Sequence, residues 1–147
     1  MVEPHSEPCR AAITGVAIYV PERVLTNAEL AQSLDTSDEW IITRTGIRER
    51  RIGAPGETTS TMGAEAVRRL MADRQLGPGD IDAVIVATVT PDMLFPATAC
   101  LIQDQLGLTR AWGFDLSAAC SGFLYTLQTA VKFVQTGAQK KVTERVN

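Results

Sequence analysis

The residue in this 147-residue chain best suited to chemistry is Cys120, in the run FDLSAACSGF over residues 114–123. It stands among small side chains where a strand pattern changes to a helix pattern. A thiol at a helix N-terminus lies near unpaired backbone N–H groups and the positive end of the helix dipole, which favour the thiolate. Small neighbours let the backbone turn sharply. The sequence predicts a nucleophile, and a buried structural cysteine remains an equally open alternative.

A catalytic thiol needs a base and groups that stabilise an oxyanion, and few candidates are visible. The one histidine is His5, in a polar N-terminal tail, and we expect no catalytic role for it. Asp115 ends the strand before Cys120, where a structural role is favoured over acid–base catalysis. No HExxH, P-loop or GxGxxG motif is found. Three cysteines without a CxxC pair argue against a disulfide framework and a zinc site, and they fit a reducing cytoplasm.

The elements around Cys120 follow a strand–helix alternation that predicts an α/β layered domain. Two capping boxes, Thr26 with Glu29 and Thr36 with Glu39, each predict the start of a helix, the second of which should end near Gly46. Residues 81–89 are almost continuously apolar, which is typical of a strand buried on both faces of a parallel or mixed sheet. Further strands are predicted over 11–20 and 112–116. Further helices are predicted over 59–75, from Pro96 to Gly107, and over 120–135 with Gly137 as the cap.

Composition excludes several classes of protein. The chain has 17 acidic and 14 basic residues and no basic stripe that would indicate nucleic-acid binding. A short cluster, Arg44, Arg48, Arg50 and Arg51, is expected to be a solvated helix end and loop. No apolar stretch approaches the roughly 18 residues that span a bilayer, and the N-terminal tail lacks the apolar core of a signal peptide. We expect a soluble, cytoplasmic protein without a membrane or nucleic-acid partner.

Several longer motifs resemble one known family. Residues 36–41 (TSDEWI), 43–50 (TRTGIRER), 57–63, 95–97 and 115–123 closely resemble β-ketoacyl-acyl carrier protein synthase III. This is the initiating condensing enzyme of bacterial type II fatty acid synthesis, in the thiolase superfamily. The resemblance covers residues 13–140 and less than half of a family member. It implies a thiolase-like layered fold, here as an incomplete N-terminal half with a mixed sheet covered by helices.

The resemblance also implies roles for individual residues. Cys120 matches the nucleophile that accepts an acyl group, normally acetyl, from coenzyme A. Trp40 matches the tryptophan that stacks on the adenine, Arg44 the arginine beside it, and Thr36 a further contact around the nucleotide. Phe95 matches the phenylalanine that reaches across the family's dimer to close the partner's acyl pocket. Without the resemblance, Trp40 is favoured as a core residue of an amphipathic helix, and Phe95 is equally a hydrophobic residue ahead of a helix.

Some family features cannot be mapped. The histidine and asparagine that bind the malonyl thioester, and the glycine N–H of the oxyanion hole, lie in the family's C-terminal half. Residues 140–147 (KKVTERVN) are charged and a poor match to the buried strand that follows in the family. We therefore predict a flexible tail over 1–10, an incomplete domain over 11–139 and a divergent end over 140–147, as from a truncation or an altered reading frame.

The leading functional prediction is an acyltransferase that condenses acetyl-coenzyme A with malonyl-acyl carrier protein through an acyl-cysteine, as a homodimer when full length. Coenzyme A is a substrate here, and neither a cofactor nor a metal is expected. One alternative is a related thiolase-superfamily acyltransferase with another acyl donor. Another is a non-catalytic fragment that at most binds coenzyme A or pairs with a complete subunit through the strand over residues 112–116. The isolated chain is expected to be inactive, because the family's histidine and asparagine are missing from it.

Overall fold

The computed structural model describes residues 10–146, so His5 and most of the predicted tail lie outside the described residues. The chain forms, in order, the elements β1 (Arg23–Thr26), α1 (Asn27–Leu30), α2 (Asp38–Thr45), β2 (Glu49–Ile52), α3 (Thr59–Asp73), β3 (Ala83–Ala87), α4 (Thr98–Leu106), β4 (Trp112–Leu116), α5 (Gly122–Gln135) and β5 (Val142–Val146). Short 3-10 turns precede β3 and α5. No helix in this part of the chain is long and apolar enough to cross a membrane. The α/β class is confirmed.

The larger of two compact units comprises residues 10–19 and 59–146 and is built on a parallel sheet with the strand order β4-β3-β5. Ala83 of β3 lies opposite Trp112 of β4 and Val142 of β5. The crossovers β3–α4–β4 and β4–α5–β5 run in opposite directions across the sheet. Because such crossovers are right-handed, α4 and α5 cover opposite faces. Every residue of the central strand β3 is buried, as the apolar run predicted.

The core of this unit lies on the α4 side of the sheet. Val84 and Val86 point to that side, because alternate residues of a strand face the same way. They pack against apolar residues of α3, α4 and the adjoining loops: Ala64, Val67, Met71, Ile81, Ala99, Ile102 and Leu108. The core-facing residues of α3 are thus Ala64, Val67 and Met71, and those of α4 are Ala99 and Ile102.

Helix α3 receives an N-terminal cap from a distant aspartate. Asp92, in the segment after β3, accepts hydrogen bonds from the backbone N–H of Ser60 (2.8 Å) and from its hydroxyl (2.6 Å). Acceptors at a helix N-terminus satisfy backbone donors that have no partner within the helix. The helix is thereby tied to the segment that follows β3.

The smaller unit, Val20–Thr58, pairs β1 with β2 in antiparallel register, with α1 and α2 between them in sequence. Thr26 caps α1 as predicted, its hydroxyl accepting from the N–H of Glu29 at 3.2 Å. For α2 the predicted cap is wrong by one residue, because Ser37 rather than Thr36 accepts from the N–H of Trp40. Gly46 ends α2 with φ 72°, a left-handed conformation that glycine adopts without penalty.

The expected strand over 11–20 and the expected start of α4 are wrong. Residues 10–20 form no strand; the segment lies against α3, where Arg69 donates to the Ile18 carbonyl and stacks on Tyr19. A β-rich composition extends the backbone, but a strand also needs a neighbour with which to pair. Pro96 stands two residues before α4 begins rather than in its first turn.

The charged end, expected to be poor as a central strand, forms β5 at the edge of the sheet, beside β3. Asp82 directs its entry by accepting from the N–H groups of Lys140 (2.9 Å) and Lys141 (3.0 Å). The hydrogen bonds from Lys141 and Lys140 hold the pKa of Asp82 below its ordinary value, because they stabilise the carboxylate. Both lysines precede the strand, so their charges do not enter the sheet.

Candidate active site

Cys120 lies in a sharp turn between β4 and α5. The turn is the 3-10 segment Ala119–Ser121, and the Cys120 side chain is exposed, so the buried-cysteine alternative is wrong. Ala119 has φ 44°, in the left-handed region that residues with a Cβ seldom adopt. A strained strand-to-helix turn is how other folds present a nucleophile above a sheet. Helix α5 begins at Gly122, two residues later than predicted.

The turn is fitted closely to the end of the neighbouring strand. A Cβ at Gly122 would lie 3.0 Å from the Cβ of Ala87, the last residue of β3. Gly122 itself has an ordinary helical conformation, with φ −52° and ψ −47°. Glycine is therefore favoured there by the close approach rather than by its backbone freedom, and it lets the first turn of α5 sit directly on the sheet.

Asp115 has the structural role that the sequence favoured. Its Oδ2 accepts from the N–H of Thr98 at 2.7 Å and its Oδ1 from the N–H of Ala99 at 2.9 Å. The N-cap residue of α4 is Ala97, whose side chain has no acceptor, so Asp115 acts as the cap from β4. Both carboxylate oxygens are occupied by backbone donors, which leaves this group fixed in place rather than directed at the thiol.

Trp40 and Arg44 form a pair on the exposed side of α2. The guanidinium carbon of Arg44 is 4.9 Å from the centroid of the Trp40 ring, a cation–π contact made possible by their spacing of one helical turn. Trp40 is 54% exposed, so its interpretation as a core residue is wrong. The pair lines a shallow, open pocket of about 360 Å³ together with Ser37, Glu39 and Thr43.

Thr36 and Phe95 are placed differently from this pair. The Thr36 hydroxyl oxygen is buried and has no hydrogen-bond partner within the described residues. Phe95 is 88% exposed, in the segment between β3 and α4. Thr36, Trp40 and Arg44 belong to the smaller unit, whereas Phe95 and Cys120 belong to the larger one. The predicted roles of these residues stay predictions.

Sequence reasoning missed Asn27, the first residue of α1. It is 1% exposed, and its side chain bonds to Asp38, the Ile47 carbonyl and Arg50. Its partners are 11 to 23 residues away, and no local pattern connects them.

The basic cluster was likewise interpreted only as solvated, yet Arg50 and Arg51 donate to backbone carbonyls of β1 and of the segment before it.

Known proteins resemble this chain in sequence. The family model described as 3-oxoacyl-[acyl-carrier-protein] synthase III matches residues 114–143, which include Cys120. A β-ketoacyl-[acyl-carrier-protein] synthase III of Chlorobium chlorochromatii is 58% identical over 134 residues, covering 90% of this chain and 41% of the relative. The chain is similar to the N-terminal part of β-ketoacyl-acyl carrier protein synthase III. It spans about 40% of the length of the relatives that it matches.

Solved structures show the same fold. The 3-oxoacyl-[acyl-carrier-protein] synthase III of Aquifex aeolicus has a TM-score of 0.85 at 47% identity and covers 88% of this chain and 42% of its own. A priming β-ketosynthase of a polyketide biosynthetic pathway has a TM-score of 0.85 at 40% identity and covers 97% of this chain and 44% of its own. The thiolase-like layered fold expected from the motifs is confirmed over this part of the family.

Proposed function

We propose that this chain supplies the acyl-accepting half of a decarboxylative condensing enzyme that starts fatty acid synthesis. Cys120 takes an acetyl group from acetyl-coenzyme A, and malonyl-acyl carrier protein then receives it. Trp40, Arg44 and Thr36 bind the nucleotide part of coenzyme A, and Phe95 closes the acyl pocket of the other subunit in a homodimer. The enzyme acts in the cytoplasm without a metal or a resident cofactor.

The proposed reaction has two steps. The Cys120 thiolate attacks the thioester carbonyl, the carbon–sulfur bond to coenzyme A breaks, and coenzyme A leaves as a thiol with the proton that Cys120 gave up. Malonyl-acyl carrier protein then loses carbon dioxide, which leaves an electron pair on its α-carbon. That carbon attacks the acyl-cysteine carbonyl, the bond to Cys120 sulfur breaks, and β-ketoacyl-acyl carrier protein is formed.

The observation that carries this proposal is the exposed thiol on the strained turn at Ala119, directly before an α-helix. An acyl group needs access to the sulfur, and the attacking form of cysteine is the thiolate, which a helix N-terminus favours. Asp115 is engaged with α4, so it does not act as the base. The resemblance assigns the histidine and asparagine that promote decarboxylation, and the glycine N–H of the oxyanion hole, to the family's C-terminal half.

The experiment is acylation of a full-length synthase III that carries this segment. We expect incubation with acetyl-coenzyme A, followed by peptide mass spectrometry, to place one acetyl group on Cys120. Cys120→Ala should abolish the adduct, and Cys100→Ala is the matched control, because Cys100 is also an exposed cysteine. An adduct on Cys9 or Cys100, or one that persists in Cys120→Ala, would refute the assignment.

A second candidate is a related acyltransferase that uses another acyl donor. The 40% identity to a priming β-ketosynthase, over 97% of this chain, favours keeping it. Both candidates use Cys120, so acylation alone does not separate them. A panel of acyl-coenzyme A thioesters of increasing chain length does separate them, when each is scored by the mass that its own acyl group adds to Cys120. A clear preference for acetyl supports fatty acid initiation, and a preference for a longer acyl group supports the alternative.

A further inference from the structure

The orientation of α2 depends on polar contacts, because little apolar surface holds it. Of its eight residues only Ile41 is buried, and in α1 the only buried residue is Asn27 itself. A single apolar side chain leaves a short helix free to rotate and slide, since apolar contact is not directional. Hydrogen bonds have preferred distances and angles, so they can fix what apolar packing does not.

The Asn27 amide nitrogen holds both ends of α2. One of its bonds is to Asp38 Oδ1, at the first residue of the helix, and the other is to the carbonyl of Ile47, just beyond the last turn; both are 2.8 Å long. The two hydrogens of one amide group are thereby used on one helix. No other residue type of this size offers two donors and an acceptor without a charge.

The Asn27 carbonyl oxygen connects the same side chain to the sheet of the smaller unit. It accepts from Arg50 Nη2 of β2 at 2.9 Å, and Arg50 Nη1 donates to the Leu25 carbonyl of β1 at 3.4 Å. The backbone N–H of Asn27 donates to the carbonyl of Arg48 at 3.4 Å. Asn27 thus links α2 to both strands, and at 1% exposure it cannot touch a ligand itself.

We infer that Asn27 is a positioning residue that sets the Trp40–Arg44 pair for coenzyme A. The inference rests on the proposed function, because it assigns the pair to the nucleotide end of that substrate. Removing the amide lets α2 shift, and the indole and guanidinium move with it, so nucleotide affinity falls although no contact to the ligand is deleted.

The test is the binding of adenosine 3′,5′-bisphosphate, the nucleotide end of coenzyme A, to the 147-residue chain, measured by ligand-observed NMR. We expect Asn27→Ala to raise Kd by about tenfold. In a background that carries both Trp40→Ala and Arg44→Ala, the same substitution should change the residual Kd by less than about twofold, because both groups that it positions are gone. Thr26→Ala is the matched control: it removes the cap of α1 and lowers stability, but it leaves both bonds to α2 intact, so its Kd should not change.

A second pair of variants covers the case in which Asn27→Ala does not fold. Asp38 is exposed, so Asp38→Ala should fold; it should raise Kd, whereas Asp38→Asn keeps an acceptor oxygen and should bind nearly normally. An unchanged Kd in Asn27→Ala, or equal increases with and without the Trp40 and Arg44 side chains, would overturn the positioning role. Absence of binding by the unaltered chain would instead overturn the proposed nucleotide site, and the inference with it.

Discussion

Asp115 lends itself to a quantitative test, because its carboxylate caps the N-terminus of α4, whose own N-cap residue, Ala97, offers no side-chain acceptor. Thr98 and Ala99, whose N–H groups it accepts, are both 0% exposed, so water cannot easily replace the lost acceptor in Asp115→Ala. Losing a helix cap costs about 0.5–2 kcal/mol, and leaving a buried donor without a partner costs roughly 1–3 kcal/mol. For two donors we expect a loss of about 2–5 kcal/mol, a large part of the total stability of a domain, which is typically about 5–15 kcal/mol.

The assay is urea unfolding of the 147-residue chain, followed by far-ultraviolet circular dichroism. Asp115→Asn keeps one carbonyl oxygen for one N–H group and turns an amide nitrogen toward the other, so about half the loss is expected. Asp104→Ala, an exposed acid on the same helix, is the control and should change the free energy of unfolding by less than about 0.5 kcal/mol. A loss below about 1 kcal/mol in Asp115→Ala would refute the capping argument and reopen a chemical role for this carboxylate.

Four further outcomes are expected. In a full-length enzyme, Trp40→Ala and Arg44→Ala should raise the apparent KM for acetyl-coenzyme A and leave the melting temperature nearly unchanged. A melting temperature lowered by several degrees in Trp40→Ala would instead support a structural role for Trp40 in the core. Purified 1–147 should yield no β-ketoacyl product by mass spectrometry, because one missing oxyanion donor alone costs about 100- to 1000-fold in rate; turnover near that of a complete enzyme would contradict this. Ala119→Gly should raise the free energy of unfolding in urea by up to about 1 kcal/mol, since glycine adopts φ 44° without strain. A lowered free energy of unfolding would show that the turn is unstrained. The pKa of Asp82 is lowered in the folded chain, so its carboxylate contributes to the free energy of unfolding above its unfolded-state pKa of about 3.9. This contribution is lost as the pH falls through the folded-state pKa. The stability of Asp82→Ala should therefore fall less steeply with acid than that of the unaltered chain, and identical dependences of stability on pH would contradict this.

Sequence patterns predicted elements whose cause is local. The apolar run over 81–89 contains β3, the predicted strand over 112–116 matches β4, and Gly46 and Gly107 end their helices with positive φ. In each case neighbouring residues determine the outcome, through burial on both strand faces or through a backbone conformation that glycine adopts freely.

Features with a distant cause could not be predicted in this way. The cap of α4 is Asp115, 17 residues from Thr98, and the position of α2 depends on Asn27, 11 residues before Asp38. The segment over 10–20 was misinterpreted for the same reason, since a strand is defined by its neighbour and not by its own residues. The exposed state of Cys120 also depends on the conformation of Ala119, which no residue preference indicates.

In the larger unit, the residues that hold the sheet together and the residues at the candidate site lie in different stretches of chain. Parallel strands end at the same edge, and the turn of Cys120 after β4 and the segment with Phe95 after β3 both leave from that edge. The residues that hold the sheet together lie within the strands, while Asp92 and Asp115 secure the neighbouring helices. Substitutions of the small side chains at 117–118 and of the exposed residues at 93–95 should therefore leave the contacts that stabilise the fold intact. A combinatorial library confined to those five positions would let an engineer explore new acyl groups on an intact scaffold.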